Sequence, residues 1–420
     1  MKILPLMAAL VALPFSVCAA HADDDVSAIA VSGFGTAAFT RSDTNDARFA
    51  RPAQPTGVGT GWKADVDSNL GLQATAKFNA MFSATGQLLA RKSSRDDIGL
   101  ELNLGFLKAR LSDSFSVRVG RLGLPVYMIS EYRNVGYANT MIRPPSDVYS
   151  QVTLDALDGV DAIYQHSFGE TTLTGQLGVG VSKSTIGTGP NSVVTVDAKR
   201  LTALNLTAEN GPLTLRFGRS DTRITIDNSA GLNGLVGGLR AAGNGFVIPG
   251  MGDLATRLEV KDKKASFTSV GLALDWHNIV VQSEYAKRRT DSYINNTSSA
   301  YLMAGYRVGS WLPYASHSFL KRDTVVANSV PGSCPAGRPA SCGPTLRVLS
   351  AGVTSLTTTG TQGEQSTNTI GVRWDFNKSA ALKVQLDRIS PKNGQGMFLT
   401  PTPGFTGPVT VLAAGVDFVF

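Results

Sequence analysis

Along most of this chain apolar and polar residues alternate one for one, and that period governs what the chain can fold into. In "NLGLQATAKFN" (residues 69–79) Leu70, Leu72, Ala74, Ala76 and Phe78 fall on one side and Gly71, Gln73, Thr75, Lys77 and Asn79 on the other. "IVVQSEYAKRR" sets Ile279, Val281 and Tyr285 against Gln282, Glu284 and Arg288. "TNTIGVRWDFN" sets Ile370, Val372, Trp374 and Phe376 against Thr369, Gly371, Arg373 and Asp375. Successive side chains of a β-strand point to opposite faces, so a period of two predicts strands with one apolar and one polar face. No amphipathic helix of about twelve residues stands out against this pattern.

Sixteen such segments can be counted: 28–40, 69–79, 81–92, 98–111, 115–123, 160–168, 171–182, 199–208, 213–227, 264–276, 279–288, 298–308, 311–323, 366–376, 379–390 and 407–420. Seven connections are tight, such as Gly169-Glu170, His277-Asn278 and Asn377-Lys378. The eight that alternate with them are mostly long: 41–68, 93–97, 124–159, 183–198, 228–263, 289–297, 324–365 and 391–406. An even strand number, with short turns at one end and long loops at the other, predicts an all-β chain. The expected fold is a 16-stranded antiparallel transmembrane β-barrel with periplasmic turns and extracellular loops. A soluble double-sheet protein would also alternate, but nothing would sort its turns by length. Its buried face would also have to hold Gln, Thr, Asn, Glu, Lys and Arg, which are costly in a dry core and cheap in a wet lumen.

The first residues read as a leader: Met1 and Lys2, an apolar stretch from Ile3 to Cys18, then Ala20-His21-Ala22 as an A-x-A cleavage site. The expectation is therefore export, with residues 1–22 as a cleaved signal peptide and 23–420 as one barrel domain. Outside that stretch no run of eighteen apolar residues occurs, so no membrane-spanning helix is expected. Cys334 and Cys342, in "PGSCPAGRPASCGP", are then expected to pair as a disulfide in an oxidising compartment.

The chain ends in "TVLAAGVDFVF", alternating through Leu412, Ala414, Val416 and Phe418 to Phe420. Here it resembles the Gram-negative, proteobacterial outer-membrane porins, whose last strand ends in Phe as an assembly signal. "RVGRLGLPVY…RNVGYA…RPPSDVY" also looks like a stretch found in those porins, and the resemblance extends over the strand count and loop layout of the whole mature chain. It implies a sixteen-stranded barrel in the outer membrane, a homotrimer among outer-membrane lipid and lipopolysaccharide, and insertion by the barrel-assembly machinery through the C-terminal strand. It further implies a third long loop, residues 124–159, folded inward to narrow the channel.

A barrel of this size needs such a constriction if it is to select, and selection rests on charged side chains at close quarters. Residues 120–149 break the alternation and supply Arg121, Arg133 and Arg143, with Glu131 and Asp147 as counter-charges and Tyr127, Tyr132 and Tyr137 as walls. Arg118 is expected to point at the same region. Elsewhere the polar faces offer Lys77, Arg91, Arg216, Arg288, Arg307, Lys321, Arg373 and Lys383 against Glu101, Asp275, Glu284, Asp375, Asp387 and Asp417. That bias predicts a mild preference for anionic solutes in a pore for passive diffusion of small hydrophilic solutes. The alternative is a channel specific for a dicarboxylate, an aromatic acid or a phosphate.

Other functions find little support. "GFGTAA" (Gly33–Ala38) matches a dinucleotide motif in form, but it lies inside a strand and opens no helix. His166, His277 and His317 lack partners at metal-ligand spacing, so neither metal nor cofactor is expected. A barrel enzyme of the outer-membrane lipase type needs a His and a Ser two apart on one strand, and the residues at that spacing from His166 and His317 are Tyr164, Phe168, Ala315 and Phe319. Cations spread round a lumen also argue against a nucleic-acid partner.

Overall fold

A computed structural model describes residues 29–189, 192–227, 229–359, 363–392 and 394–420. The expected leader lies outside the described residues. The strands are β1 (Ile29–Ser42), β2 (Asn69–Lys77), β3 (Phe82–Lys92), β4 (Ile98–Arg110), β5 (Phe115–Gly123), β6 (Ala156–Phe168), β7 (Thr171–Gly189) and β8 (Ser192–Asn210). They continue as β9 (Leu213–Asp227), β10 (Lys263–Trp276), β11 (Ile279–Thr290), β12 (Asn296–Tyr306), β13 (Trp311–Thr324), β14 (Glu364–Asn377), β15 (Ala380–Lys392) and β16 (Val409–Val419). Each pairs antiparallel with its sequence neighbours, and β1 closes on β16 with Phe34 opposite Val419 and Ser42 opposite Val411. The result is a closed barrel of sixteen strands with no free edge.

The seam explains the glycines of "GFG". Gly33 and Phe420 exchange both backbone hydrogen bonds, at 2.8 and 3.0 Å. A Cβ on Gly33 would run into the ring of Phe420, and one on Gly35 into the ring of Phe418. Bare glycine backbone on β1 therefore receives the terminal aromatics of β16, the arrangement that stabilises glycine-bearing strand edges.

The outward row is apolar and exposed: Leu72, Leu100, Leu177, Leu206, Leu302 and Ile370 all face out. Beside the short turns the exposed side chains become aromatic, with Phe78, Phe82, Phe168, Trp276, Tyr306, Trp311 and Phe376. An apolar band ending in an aromatic girdle is the surface of a barrel that spans a bilayer. The inward rows carry buried polar residues such as Gln176, Asn205, Glu284, Ser318, Thr369, Lys383 and Asp417.

Two expectations need correction. The connection expected over 183–198 is largely strand, because β7 and β8 continue to Gly189 and Ser192 as a hairpin taller than a bilayer requires. The long loops also hold helices that the alternation concealed: the single turn α1 (Ser146–Tyr149), α2 (Ala230–Gly245), α3 (Met251–Leu258) and α4 (Cys342–Thr354). In α2, Leu232, Val236, Leu239 and Ala242 form a buried stripe at helical spacing. Glycines at 231, 234, 237 and 238 mask it, each costing about 1 kcal/mol of intrinsic propensity. Burial against α3 and α4 decides the matter, as it does for most short helices. Cys334 and Cys342 are bonded, with Cα atoms 6.1 Å apart, and tie the chain ahead of α4 to its first residue.

Candidate functional site

The segment between β5 and β6, residues 124–155 (hereafter loop 3), lies inside the barrel rather than above it. A backbone that leaves its strand partners must find others, and here the inner wall supplies them. Met128 N donates to Glu284 Oε1 at 3.0 Å, and Ile142 N to Gln385 Oε1 at 3.0 Å. The loop's carbonyls are taken by wall cations. Arg216 donates to Met128 O (2.7 Å), Arg288 to Gln151 O (2.8 Å), and Arg373 to Tyr137 O and Asn139 O (2.7 and 2.9 Å). Lys383 Nζ donates to Gly136 O and Asn139 O (2.8 and 2.5 Å) and pairs with Asp417 at 2.7 Å.

Contact this close needs a wall without side chains in places. Gly218 faces Val126 O, and Gly271 faces Met128, so that a Cβ would sit 3.0 Å from the loop at either position. Gly136, on the loop itself, has no room for a Cβ beside Asp417 and Thr36.

Side-chain pairs complete the attachment. Arg143 is 4% exposed and bonds both Asp67 and Asp387, the latter at 2.7 Å, with its guanidinium 4.6 Å from the ring centre of Phe49. Asp147, fully buried, accepts from Ser318 Oγ and Gln365 Nε2, both at 2.6 Å. Tyr149 donates to Glu284 at 2.7 Å. Tyr127 is also fully buried: its ring packs on Tyr149 and Phe267, while its hydroxyl donates to Val148 O and accepts from Val152 N. Arg143, Asp147 and Tyr127, expected in the throat, are thus fastenings of the loop and do not face open lumen. The physical reason is that a loop buried in a barrel must satisfy its own polar groups before any are left for solute.

The charges that do face the opening form a smaller set. Glu131 is 55% exposed and lies 3.5 Å from Arg118, which is held bidentate on Asp161 at 3.0 and 2.6 Å. Tyr132 is exposed beside them. Arg133 pairs with Asp155, which also takes Arg91 at 3.0 Å, and Arg91 reaches Glu101 at 2.7 Å. Arg216 adds a positive charge to the wall from a less open place: its Nε and Nη2 are buried and have no hydrogen-bond partner among the described residues. Tyr137 lies against Arg373 and donates to Lys378 O, toward the short-turn end, where Arg307 pairs with Asp275 and Lys77 is exposed.

Two residues stand on the other face of the wall. Arg121 alternates away from Arg118 and Leu122 and pairs outward with Asp158 at 2.7 Å. Lys321 alternates away from inward Tyr314, Ser316, Ser318 and Leu320. The Gly120 bend at φ 131° does not change the row that Arg121 occupies, since Leu122 beyond it is fully buried. Two acids of the site do not stand out in the sequence: Asp67, in the first long loop, which binds Arg143 of loop 3, and Asp161, on β6, which holds Arg118. Asp67 lay in a stretch without periodicity, and Asp161 is the register partner of Arg118.

No protein-family model matches the sequence, and no curated protein matches it significantly. Solved structures do match. The chain resembles outer-membrane expressed OmpT of Vibrio cholerae with a TM-score of 0.53 at 10% identity, over 96% of this chain and 99% of that one. It resembles OmpF of Salmonella typhi, solved with daunomycin, with a TM-score of 0.52 at 14% identity, over 95% and 99%. The outer membrane channel DcaP of Acinetobacter baumannii gives 0.50 at 9%, over 94% and 97%. At these identities the likeness establishes the fold: a closed sixteen-stranded antiparallel barrel of the kind found in outer-membrane channels.

Proposed function

We propose that the protein is an outer-membrane porin, a water-filled channel for passive diffusion of small hydrophilic solutes and ions with a mild preference for anions. The observation that carries this reading is loop 3, held inside the barrel by wall cations on its carbonyls and by buried pairs at Arg143 and Asp147. Such a loop narrows a lumen, and the charges left beside it set selectivity. Arg216, a wall cation whose Nε and Nη2 are buried without hydrogen-bond partners among the described residues, supports the anion preference through its charge. Conductance of purified protein in planar bilayers, with reversal potentials in a KCl gradient, tests both parts. Absence of channels defeats the porin reading, and clear cation selectivity defeats the anion preference alone.

The barrel is read as a channel and not as an enzyme. His317, on the outer face, bonds Asn368 Oδ1 at 2.8 Å, and no serine hydroxyl bonds its ring among the described residues. A lipase-like pair would need one.

We read the assembly as a homotrimer. The outward pair Arg121–Asp158 stands in the apolar band near a groove of about 450 Å³ floored by Ala74, Ala76, Ala84, Gly86 and Gly105. A charged pair set among lipid-facing apolar side chains is costly, so protein cover on that face is favoured. On the opposite wall Arg200, Arg219, Arg223, Lys264 and Arg289 ring an outward groove near the long-loop end, with Asp221 and Asp291. That is the chemistry to receive lipopolysaccharide phosphates. Phe420, seated on Gly33, is the proposed signal for the barrel-assembly machinery.

A further inference from the structure

Above loop 3 a cavity of about 630 Å³ opens between the long-loop ends of the strands. Its volume is that of a small-molecule site. Residues 146–154 of loop 3 contribute one side, residues 50–55 of the first loop and 395–400 of the last another, and the tall ends of β7 to β11 the rest. Leu154, Val196, Leu201, Ile224 and Phe267 line it and are buried.

The charged residues in this lining are Arg51 and Arg288, and no Asp, Glu or Lys joins them among the described residues. Arg288 is engaged: it donates to Gln151 O at 2.8 Å and Asn295 O at 2.9 Å, which fixes a positive charge in the wall. Arg51 is held differently. Its Nε stands 4.0 Å from Asp67 Oδ1, beyond hydrogen-bond distance, and its guanidinium makes no hydrogen bond to another described residue. Asp67 Oδ2 is committed to Thr40 and Arg143, while Oδ1, buried without a hydrogen-bond partner among the described residues, is the atom that faces Arg51. Burial draws the Arg51 pKa below its ordinary value; Asp67 opposes this, and Arg91 and Arg143 add to the fall. The segment carrying Arg51 is fixed in place, because Gly187 N donates to Ala53 O at 3.0 Å and a Cβ on Gly187 would press on Pro55.

We propose that this vestibule binds monocarboxylates carried on an apolar body, an aromatic or medium-chain acid. The fork of Arg51 takes the carboxylate and the apolar wall takes the ring or chain. A planar guanidinium with free donors matches a carboxylate bidentately. A second carboxylate held against Leu154, Val196 and Ile224 would lose water there, and Arg288 already spends donors on Gln151 O and Asn295 O, which disfavours dicarboxylates. The proposal deepens the channel reading by naming a solute class, while binding itself does not depend on conduction.

The test is calorimetric titration of the detergent-solubilised barrel with benzoate, acetate, benzamide and succinate, against empty micelles. Benzoate is added to the same protein in planar bilayers. Benzoate is expected to bind at least about tenfold tighter than the other three and to block conductance saturably. Arg51→Gln should weaken benzoate by about tenfold or more, Arg51→Lys less, and Thr153→Asp, which places an acid in the lining, should weaken it without touching Arg51. Equal binding of benzoate and acetate overturns the proposal, as does benzoate binding unchanged in folded Arg51→Gln or Thr153→Asp. Channels without benzoate binding leave the porin reading standing and remove the site. Arg51-dependent binding without channels does the reverse.

Discussion

Arg143 of loop 3 and Asp387 on the inner face of β15 form an ion pair of 2.7 Å across 244 positions of sequence. Both are buried, and Asp67 of the first long loop shares the same guanidinium. One side chain thus joins the first long loop, loop 3 and the barrel wall.

Arg143→Met is expected to leave two buried carboxylates facing each other, a loss of roughly 3–5 kcal/mol. Loop 3 should loosen, raising single-channel conductance and its noise and lowering the temperature at which the barrel loses its compact gel mobility. Arg143→Met with Asp387→Leu should be milder, since one uncompensated charge is removed. An unchanged unfolding temperature in the single variant would show that the pair does not hold the loop.

Selectivity should follow the charges in and around the opening. Arg216→Ala removes a wall cation whose Nε and Nη2 are buried and unpaired among the described residues, and should shift the reversal potential toward cations. Glu131→Gln, at an exposed acid beside Arg118, should shift it toward anions. Each change should be roughly two- to fivefold in permeability ratio, about 0.5–1 kcal/mol for a charge acting through a wet pore. A shift of the wrong sign in either would displace that residue from the throat.

Cys334–Cys342 fastens the helical cap and lies outside the barrel wall. Cys342→Ser should therefore leave strand content and conductance intact. The cap itself should lose about 2–3 kcal/mol of local stability, the range for closing so short a loop. Limited proteolysis should then cut between residues 324 and 363 more readily than in the oxidised protein. Equal protection with and without the bond would mean that α2, α3 and α4 hold themselves by packing alone.

Phe420→Ala uncovers Gly33 at the seam where β1 meets β16. The backbone exchange between the two residues should persist, but with the ring gone the closed barrel should form more slowly and in lower yield. Folding into lipid vesicles, followed by gel mobility, measures this. An unaltered rate would confine Phe420 to a role in cellular recognition.

The strand count and the inward and outward rows were legible because a strand reports its facing at every second residue, whatever its partners. Thr369, Arg373 and Asp375 stand on the polar row that "TNTIGVRWDFN" displays. The pattern failed where another rule took over. The glycines of α2 hid a helical stripe, and β7 and β8 ran on past the bilayer because nothing in alternation says where lipid ends. Arg121 stands outward because the alternation of β5 continues through it to Leu122, so the irregular stretch begins only beyond the strand.

By itself, then, the sequence determined a closed antiparallel barrel of sixteen strands, its two faces, and the segment that leaves the pattern, since all three follow from local periodicity. What the segment's residues do was decided by tertiary structure. Arg143, Asp147, Lys383 and Glu284 look the same in sequence as Arg118 and Glu131, all being charges due to face water. Only the folded loop sorts them, because a buried backbone claims the nearest charges as partners and leaves the remainder to meet the solute.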